Sequence, residues 1–224
     1  MGIDTLPGSR SRRAYSLLPA ILLFAATTVA GQTQILDVSA LHPPAGARVA
    51  IVEFADLECP ACGHANPILM AATKQYNIPW IRHDFLIPYH QWSRKGAINA
   101  LWFDSQRRGL GDEYRNAVFA SQNSIYNVAV LDKFTQDFAR SHGLALPFNV
   151  DPQGKLAAAV DADSQLGTRT GIHLTPTVFI VMAHRNPSYI QVDNIDTDLY
   201  HDIDQALEET KGEAPAPAPH TTHK

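Results

Sequence analysis

The stretch EFADLECPACG, residues 53–63, joins an apolar segment to the two cysteines of the chain, Cys59 and Cys62. The segment before it, RVAIVEFA at 48–55, is a nearly continuous apolar run of β-branched character, which predicts a strand covered on both faces. From Pro60 onward the pattern is helical, because proline is tolerated in the first turn of a helix. Both thiols are therefore predicted to lie where a buried strand passes into a helix.

The rest of the chain alternates strands and helices around this point. The first helix is predicted to continue past Pro67 as a kinked helix, since helical composition resumes after it. Apolar spacing of three and four residues predicts an all-helical block over 92–145, and an amphipathic pattern predicts a closing helix over 196–210. β-branched and aromatic residues predict three further strands, at 78–88, 175–183 and 188–193.

Residues 1–30 have the pattern of an export signal. Three arginines, Arg10, Arg12 and Arg13, precede an apolar run that ends in the small residues of a cleavage site at Ala30. The alternative is a membrane anchor, although the run from 14 to 30 is short for a spanning helix. A cleaved signal peptide predicts a periplasmic or otherwise extracytoplasmic protein, and an uncleaved one a membrane-tethered protein.

The charge of the chain bears on its partners. The formal net charge is −4, and loss of residues 1–30 removes three arginines and one aspartate, which leaves 15 basic and 21 acidic residues and a charge of −6. An acidic protein without basic runs is a poor partner for nucleic acid or anionic lipid. Proteins or small molecules are the expected partners, and nothing in the sequence implies a cofactor.

Three interpretations of Cys59 and Cys62 compete. A structural zinc site needs about four ligands, and the sequence supplies only half of one, so no metal site is predicted. A static disulfide over such a short loop would remove little chain entropy. A redox-active dithiol accounts for both spacing and position, because the start of a helix favours a thiolate at Cys59 and places Cys62 one turn further in.

At this point the sequence resembles a known family. VEFADLECPACGHANPIL is similar to the active-site segment of thioredoxin-fold proteins, and the helical block is similar to the insertion of the DsbA-like thiol-disulfide oxidoreductases. The matching positions are Glu53, the two cysteines, Pro67 and Thr175-Pro176, over roughly residues 35–210. The resemblance implies an α/β thioredoxin-like fold with an inserted all-helical domain.

The same resemblance implies a role for each site residue. Cys59 would be the nucleophile and Cys62 the resolving thiol, while Glu53 would be a buried proton relay; the alternative for Glu53 is a strand residue pointing to solvent. Pro176 would be cis and, with Thr175, would present backbone groups to a client chain; the alternative is a trans proline at a strand start. In the best-known oxidant of the family a histidine stands where this chain has alanine between its cysteines. Threonine before the proline resembles members that reduce or isomerise as well as members that oxidise, so the direction of electron flow stays open.

The predicted domain organisation follows from the resemblance. Residues 31–91 would form the first part of the thioredoxin-like domain, 92–146 the helical insertion, 147–211 the second part, and 212–224 a disordered Pro/Ala tail. The expected partners are client proteins with thiols or disulfides and a membrane redox partner that recycles the dithiol, and the expected state is a monomer. The alternative function is a thioredoxin-like binding protein or chaperone whose disulfide is only a structural clip.

Overall fold

A computed structural model describes residues 1–2, 37–38 and 40–217 of the 224-residue chain. The chain divides into two compact units, residues 1–32 and 33–224, and every described helix and strand belongs to the second. Apart from Met1 and Gly2, the signal peptide predicted at 1–30 lies outside the described residues.

A mixed four-stranded sheet with the order β2-β1-β3-β4 forms the centre of the second unit. Its strands are β1 (Val49–Ala55), β2 (Trp80–Asp84), β3 (Thr177–Met182) and β4 (Tyr189–Gln191). β1 runs parallel to β2 and antiparallel to β3, and β3 runs antiparallel to β4. Every residue of β1 and β3 is buried, as the continuous apolar runs predict for strands covered on both faces.

The register of β1 and β2 fixes which side chains share a face. Ile51 lies opposite Trp80, and Glu53 lies opposite Arg82. Because side chains alternate along a strand, these four residues point to the same side of the sheet. Arg82 donates to the Asn66 amide oxygen at 3.2 Å, which places the helix that follows β1 over this face.

Helix α1, Pro60–Tyr76, begins directly after Cys59. Cys59 is the N-cap residue, with extended backbone angles (φ −76°, ψ 119°), and proline occupies the first helical position. The helix continues through Pro67, as predicted, and ends at Asn77, whose left-handed φ of 51° stops the helical path. The strand-to-helix junction therefore places Cys59 at the positive end of α1.

The predicted helical block is present. Its elements are α2 (Ser93–Gln106), α3 (Leu110–Ser121), a 3-10 helix (Gln122–Ser124) and α4 (Val128–Ser141). The fully buried rings of Phe103 and Tyr114 pack with centroids 4.8 Å apart in its core. A Cβ at Gly111 would lie 2.5 Å from the Ala100 carbonyl oxygen, so glycine permits the close approach of α2 and α3.

Two further helices complete the layers around the sheet. α6, Leu199–Glu209, joins α1 on one face, in a core that includes Ile51, Leu69 and Ile203. α5, Lys155–Thr170, packs beside β2, where its Asp163 carboxylate accepts the Asp84 N–H at 3.2 Å. The fold predicted from the sequence, an α/β thioredoxin-like sheet with a helical insertion, is confirmed.

The segment that follows α6 contacts the segment that precedes β1. Ala216 donates its N–H to the Ala47 carbonyl at 2.9 Å and accepts the N–H of Gly46 at 3.0 Å. The Glu213 carboxylate pairs with Arg185 at 2.9 Å. These contacts involve the first part of the stretch predicted to be a tail, and its residues 218–224 lie outside the described part of the chain. No helix in that part is long and apolar enough to cross a bilayer.

Candidate active site

The two cysteines lie at the start of α1 as free thiols with different surroundings. Cys59, at the N-cap, is 8% exposed, whereas Cys62 is fully buried one turn further along. At a helix start the backbone N–H groups have no intrahelical acceptor and can donate to an anion. The fold therefore places one sulfur where a negative charge is stabilised and the other in an apolar interior.

The Cys59 sulfur is stabilised as a thiolate. The side chain of Cys62 hydrogen-bonds to it and is the main cause that lowers the pKa of Cys59, to about 5. Burial opposes this effect, but the Thr175 side chain and the backbone N–H groups of Cys62 and Ala61 lower the pKa further. Ala61 has no polar side chain, so the residue between the cysteines contributes through its backbone alone.

Cys62 retains its proton. Burial is the main cause that raises the pKa of Cys62, and the hydrogen bond to Cys59 and the nearby charge of Glu53 raise it further. The hydrogen bond between the two sulfurs contributes to both shifts, because a thiol that donates to a neighbouring thiolate must keep its proton. Cys62 can attack only after a base has removed that proton.

Glu53 is the buried acid behind the pair, with 1% of its surface exposed. Burial raises its pKa to about 7, against the lowering effects of Arg82, the Trp80 hydrogen bond and Arg115. The Trp80 indole N–H donates to Oε2 at 3.1 Å, while Oε1 is buried without a hydrogen-bond partner. The prediction of a buried carboxylate at this position, rather than one pointing to solvent, is confirmed.

Thr175 and Pro176 lie beside Cys59. The Cys59 sulfur is 3.3 Å from the Thr175 carbonyl oxygen, to which the protonated thiol donates, and the Thr175–Pro176 bond is cis, as the resemblance implied. Next to this corner is a cavity of about 250 Å³. Its lining consists of Ala61, His64, Pro176, Val178, Val192, Asp193, Asn194 and Ile195. The structure therefore brings together all five residues predicted for the site.

Several residues that support the site were not predicted from the sequence. Gln122 donates its side-chain amide to the carbonyl oxygens of Leu57 and Cys59, at 2.8 and 2.9 Å. Gly63 leaves room for it, because a Cβ there would lie 2.7 Å from the Gln122 amide oxygen. The Glu58 carboxylate accepts two backbone N–H groups at the start of α2, at 2.7 and 3.2 Å.

His64 contacts the loop before α6. Its Nε2 lies 2.8 Å from the Asp196 carboxylate, in an exposed pair at the edge of the cavity. The described residues contain no cluster of three or more side chains able to hold a metal ion. The site contains a stabilised thiolate, a protonated thiol one turn away and a buried carboxylate whose charge acts on that thiol.

Comparison with known proteins supports the same family. A family model described as Thioredoxin matches residues 45–191. A search of curated proteins finds no significant match. The sequence relationship therefore rests on the family model, which covers well over half of the chain.

Solved structures show the same architecture at low identity. A variant of alpha-DsbA1 from Wolbachia pipientis has a TM-score of 0.61 at 18% identity, over 75% of this chain and 90% of its own. BdbD from Bacillus subtilis has a TM-score of 0.57 at 19% identity, over 75% and 97%. The thiol-disulfide exchange protein alpha-DsbA2 from Wolbachia pipientis has 0.57 at 17%, over 73% and 86%. With a DsbA-like fold and a family match across its sheet and both cysteines, the chain belongs to the thioredoxin family.

Proposed function

We propose that this protein is an exported thiol-disulfide oxidoreductase that exchanges disulfides with client proteins through Cys59 and Cys62. The observation that carries the proposal is the opposite shift of the two thiol pKa values, lowered for Cys59 and raised for Cys62, beside the Thr175 carbonyl group and the cavity next to it. Exchange needs one sulfur that attacks or leaves as a thiolate and a second that waits in reserve. A purely structural pair needs neither.

The exchange proceeds through a mixed disulfide. The Cys59 thiolate attacks a client disulfide, which forms a Cys59–client bond and releases one client sulfur as a thiolate. Cys62 then loses its proton to Glu53 and attacks the Cys59 sulfur. The Cys59–Cys62 disulfide forms, the second client sulfur leaves as a thiolate that is protonated by solvent, and two electrons have moved to the client.

The reverse sequence oxidises a client. A client thiolate attacks the Cys59 sulfur of the Cys59–Cys62 disulfide, and Cys62 leaves and takes the proton from Glu53. A second client thiolate then displaces Cys59, which leaves as a stabilised thiolate. Because the low pKa of Cys59 stabilises the reduced protein, it supports this direction, in which the protein donates its disulfide.

Client docking is assigned to Thr175 and Pro176. The Thr175 carbonyl oxygen lies 3.3 Å from the Cys59 sulfur, so an extended client segment that pairs with this backbone as an added strand would pass beside the nucleophile. The lining of the neighbouring cavity of about 250 Å³ includes apolar side chains such as Val178 and Ile195, which suit a client side chain next to the reacting cysteine. The 8% exposure of Cys59 is compatible with this, because a sulfur needs only one open approach direction.

The Cys62→Ala variant tests the proposal directly. Incubated at pH 8 with a scrambled, disulfide-bonded client, it should accumulate a covalent adduct that survives a non-reducing gel and is released by a thiol reductant. The matched Cys59→Ala variant should form no such adduct. If Cys62→Ala forms no adduct while its Cys59 can be alkylated, the protein is not an exchange enzyme.

The binding-protein alternative predicts a different reduction potential. A purely structural disulfide would resist reduction by the glutathione pool, with a reduction potential below about −300 mV, whereas a strong oxidase has a reduction potential nearer to about −120 mV. Equilibration of the Cys59–Cys62 pair with glutathione buffers separates the two. Client binding that is equally tight after Cys59→Ser would favour the clip.

We also propose that the protein acts outside the cytoplasm after removal of residues 1–30, as a monomer, and is recycled by a membrane redox partner. The arginines and small residues of that stretch support export. N-terminal sequencing of exported protein should find a start at Gly31, and light scattering should give the mass of one chain. A retained leader or a stable dimer would contradict this.

A further inference from the structure

Trp80 contacts both Glu53 and Arg82, two ionisable residues on the face of the sheet that α1 covers. Its indole N–H donates to Glu53 Oε2 at 3.1 Å, and the Arg82 guanidinium carbon lies 3.6 Å from the centroid of its ring. Both contacts follow from the register, since Trp80 and Arg82 occupy alternate positions on β2 opposite β1. The indole therefore lies between the carboxylate and the cation.

Arg82 is held by other acceptors. One of its terminal nitrogens donates to the side-chain oxygens of Asn66 and Asn116 at 3.2 and 2.7 Å, and the other lies 3.6 Å from Asp112. No ion pair within 4 Å joins Arg82 to Glu53 among the described residues. The guanidinium thus compensates the carboxylate charge at a distance and leaves Glu53 Oε1 without a partner.

The charged and titratable groups that act on Glu53 come from three elements. Arg82 and Asp84 lie on β2, Arg115 on α3, and Cys62 on α1. The two arginines favour the ionised carboxylate, and the aspartate opposes it. Burial disfavours the ionised carboxylate, and the bond from Trp80 is the one hydrogen bond that the described residues donate to it.

We propose that Trp80 is a positioning residue of the proton relay: its N–H fixes Glu53 Oε2 and its ring supports Arg82, so that Oε1 stays free to accept the Cys62 proton. This inference rests on the proposed function, since it concerns the resolving step. A bidentate arginine would hold both carboxylate oxygens in charge-assisted hydrogen bonds, which would disfavour protonation of either oxygen. The indole ring holds the Arg82 guanidinium near the carboxylate and leaves Glu53 Oε1 without a hydrogen-bond partner.

The step to which Trp80 contributes is balanced. The Cys62 S–H proton passes to Glu53 Oε1, and the Cys62 thiolate attacks the Cys59 sulfur of the mixed disulfide. The Cys59–client bond breaks, the Cys59–Cys62 bond forms, and the client leaves as a thiolate. Trp80 touches no reacting sulfur in this scheme and acts only through the position and charge of Glu53.

The Trp80→Phe variant keeps an aromatic ring under Arg82 and removes the N–H. We expect the pH midpoint of client release to rise by about one unit, because the ionised carboxylate loses its hydrogen bond. At saturating concentrations of a fluorescent peptide disulfide, release should be about fivefold slower at pH 7 and less than twofold slower at pH 9. The second-order rate of the first attack by Cys59 should be unchanged.

Two controls separate positioning from simple packing. Trp102→Phe alters a buried tryptophan in the helical block, at 8% exposure, and should leave the midpoint in place. In a Glu53→Gln background, where no carboxylate remains, adding Trp80→Phe should leave the residual release rate unchanged. A structural role would slow release in that background as well, so the cycle decides even if Trp80→Phe is less stable.

The outcomes also distinguish this inference from the proposed function. If Cys62→Ala traps a client but Trp80→Phe leaves the pH midpoint of release unmoved, the positioning role is wrong and the exchange function stands. An equal slowing at pH 7 and pH 9 would likewise overturn it. If Cys62→Ala traps nothing, the failure lies with the proposed function.

Discussion

Replacing Cys62 with alanine should raise the pKa of Cys59. The side chain of Cys62 is the main cause of the lowering to about 5, and alanine cannot donate a hydrogen bond. A hydrogen bond to a charged acceptor contributes about 1.5–3 kcal/mol, and each pH unit corresponds to about 1.4 kcal/mol. The expected midpoint therefore rises by about one to two units, to between about 6 and 7.

The same substitution should make the Cys59 thiolate more reactive once it is formed, although it makes the thiolate harder to form. A thiolate of higher pKa is intrinsically more nucleophilic, with a Brønsted slope of about 0.4–0.5. Above pH 8, where the Cys59 thiolate is formed in both proteins, exchange of Cys62→Ala with a small disulfide should be about three to ten times faster than in the wild type. Below pH 5 it should be slower, because less thiolate is present.

The assay is the ultraviolet absorbance of the thiolate during a pH titration of reduced protein, with alkylation rates as a second probe. Cys62→Ser is the matched control, because its hydroxyl can still donate to the Cys59 sulfur. It should keep the midpoint closer to the wild-type value than alanine does. A midpoint within about 0.3 units of the wild type in Cys62→Ala, or equal shifts in both variants, would refute the reasoning.

Two further predictions concern stability. The folded-state pKa of Glu53, about 7, lies above its ordinary 4.5. The contribution of this carboxyl to the free energy of unfolding is therefore fully present below pH 4.5 and is lost as the pH rises through 7. At pH 8 the free energy of unfolding of Glu53→Gln, measured by urea titration, should therefore exceed that of the wild type by up to about 3 kcal/mol, with no such gain at pH 4. Equal differences at both pH values would contradict this. Gly63→Ala should displace the Gln122 amide, whose oxygen would lie 2.7 Å from the new Cβ, and break its two hydrogen bonds. The free energy of unfolding should fall by about 1 kcal/mol, because the loss of these bonds exceeds the gain of about 0.5–1 kcal/mol from alanine in a helix. Denaturant titration of the reduced protein measures it, and a loss that persists undiminished in a Gln122→Ala background would show that Gln122 is not the cause.

Much of the site is local in sequence, which is why it could be predicted. The apolar run of β1, the two cysteines and the helix through Pro67 lie within one short stretch, and the burial of Glu53 follows from its place inside that run. The corner at Thr175 is distant in the chain and was located by resemblance. Its cis bond matches that expectation.

What could not be predicted depends on register and on distant contacts. Trp80 meets Glu53 only because β2 pairs with β1 in one register, and a one-residue slip would turn the indole to the other face. Gln122 reaches the Cys59 carbonyl from a 3-10 helix 63 positions away, and His64 meets Asp196 across 132 positions. No periodicity in the sequence encodes such meetings.

The Gln122 side-chain amide connects the 3-10 helix of the helical block to the segment that carries Cys59. From the 3-10 helix, it holds two backbone carbonyl groups of the segment that carries the nucleophile, those of Leu57 and Cys59. Any movement of that segment caused by a covalently attached client should change the surroundings of this side-chain amide group. The NMR chemical shift of its side-chain nitrogen should therefore differ between the reduced dithiol, the mixed disulfide with a client and the Cys59–Cys62 disulfide. These three states could then be distinguished without a label near the sulfurs.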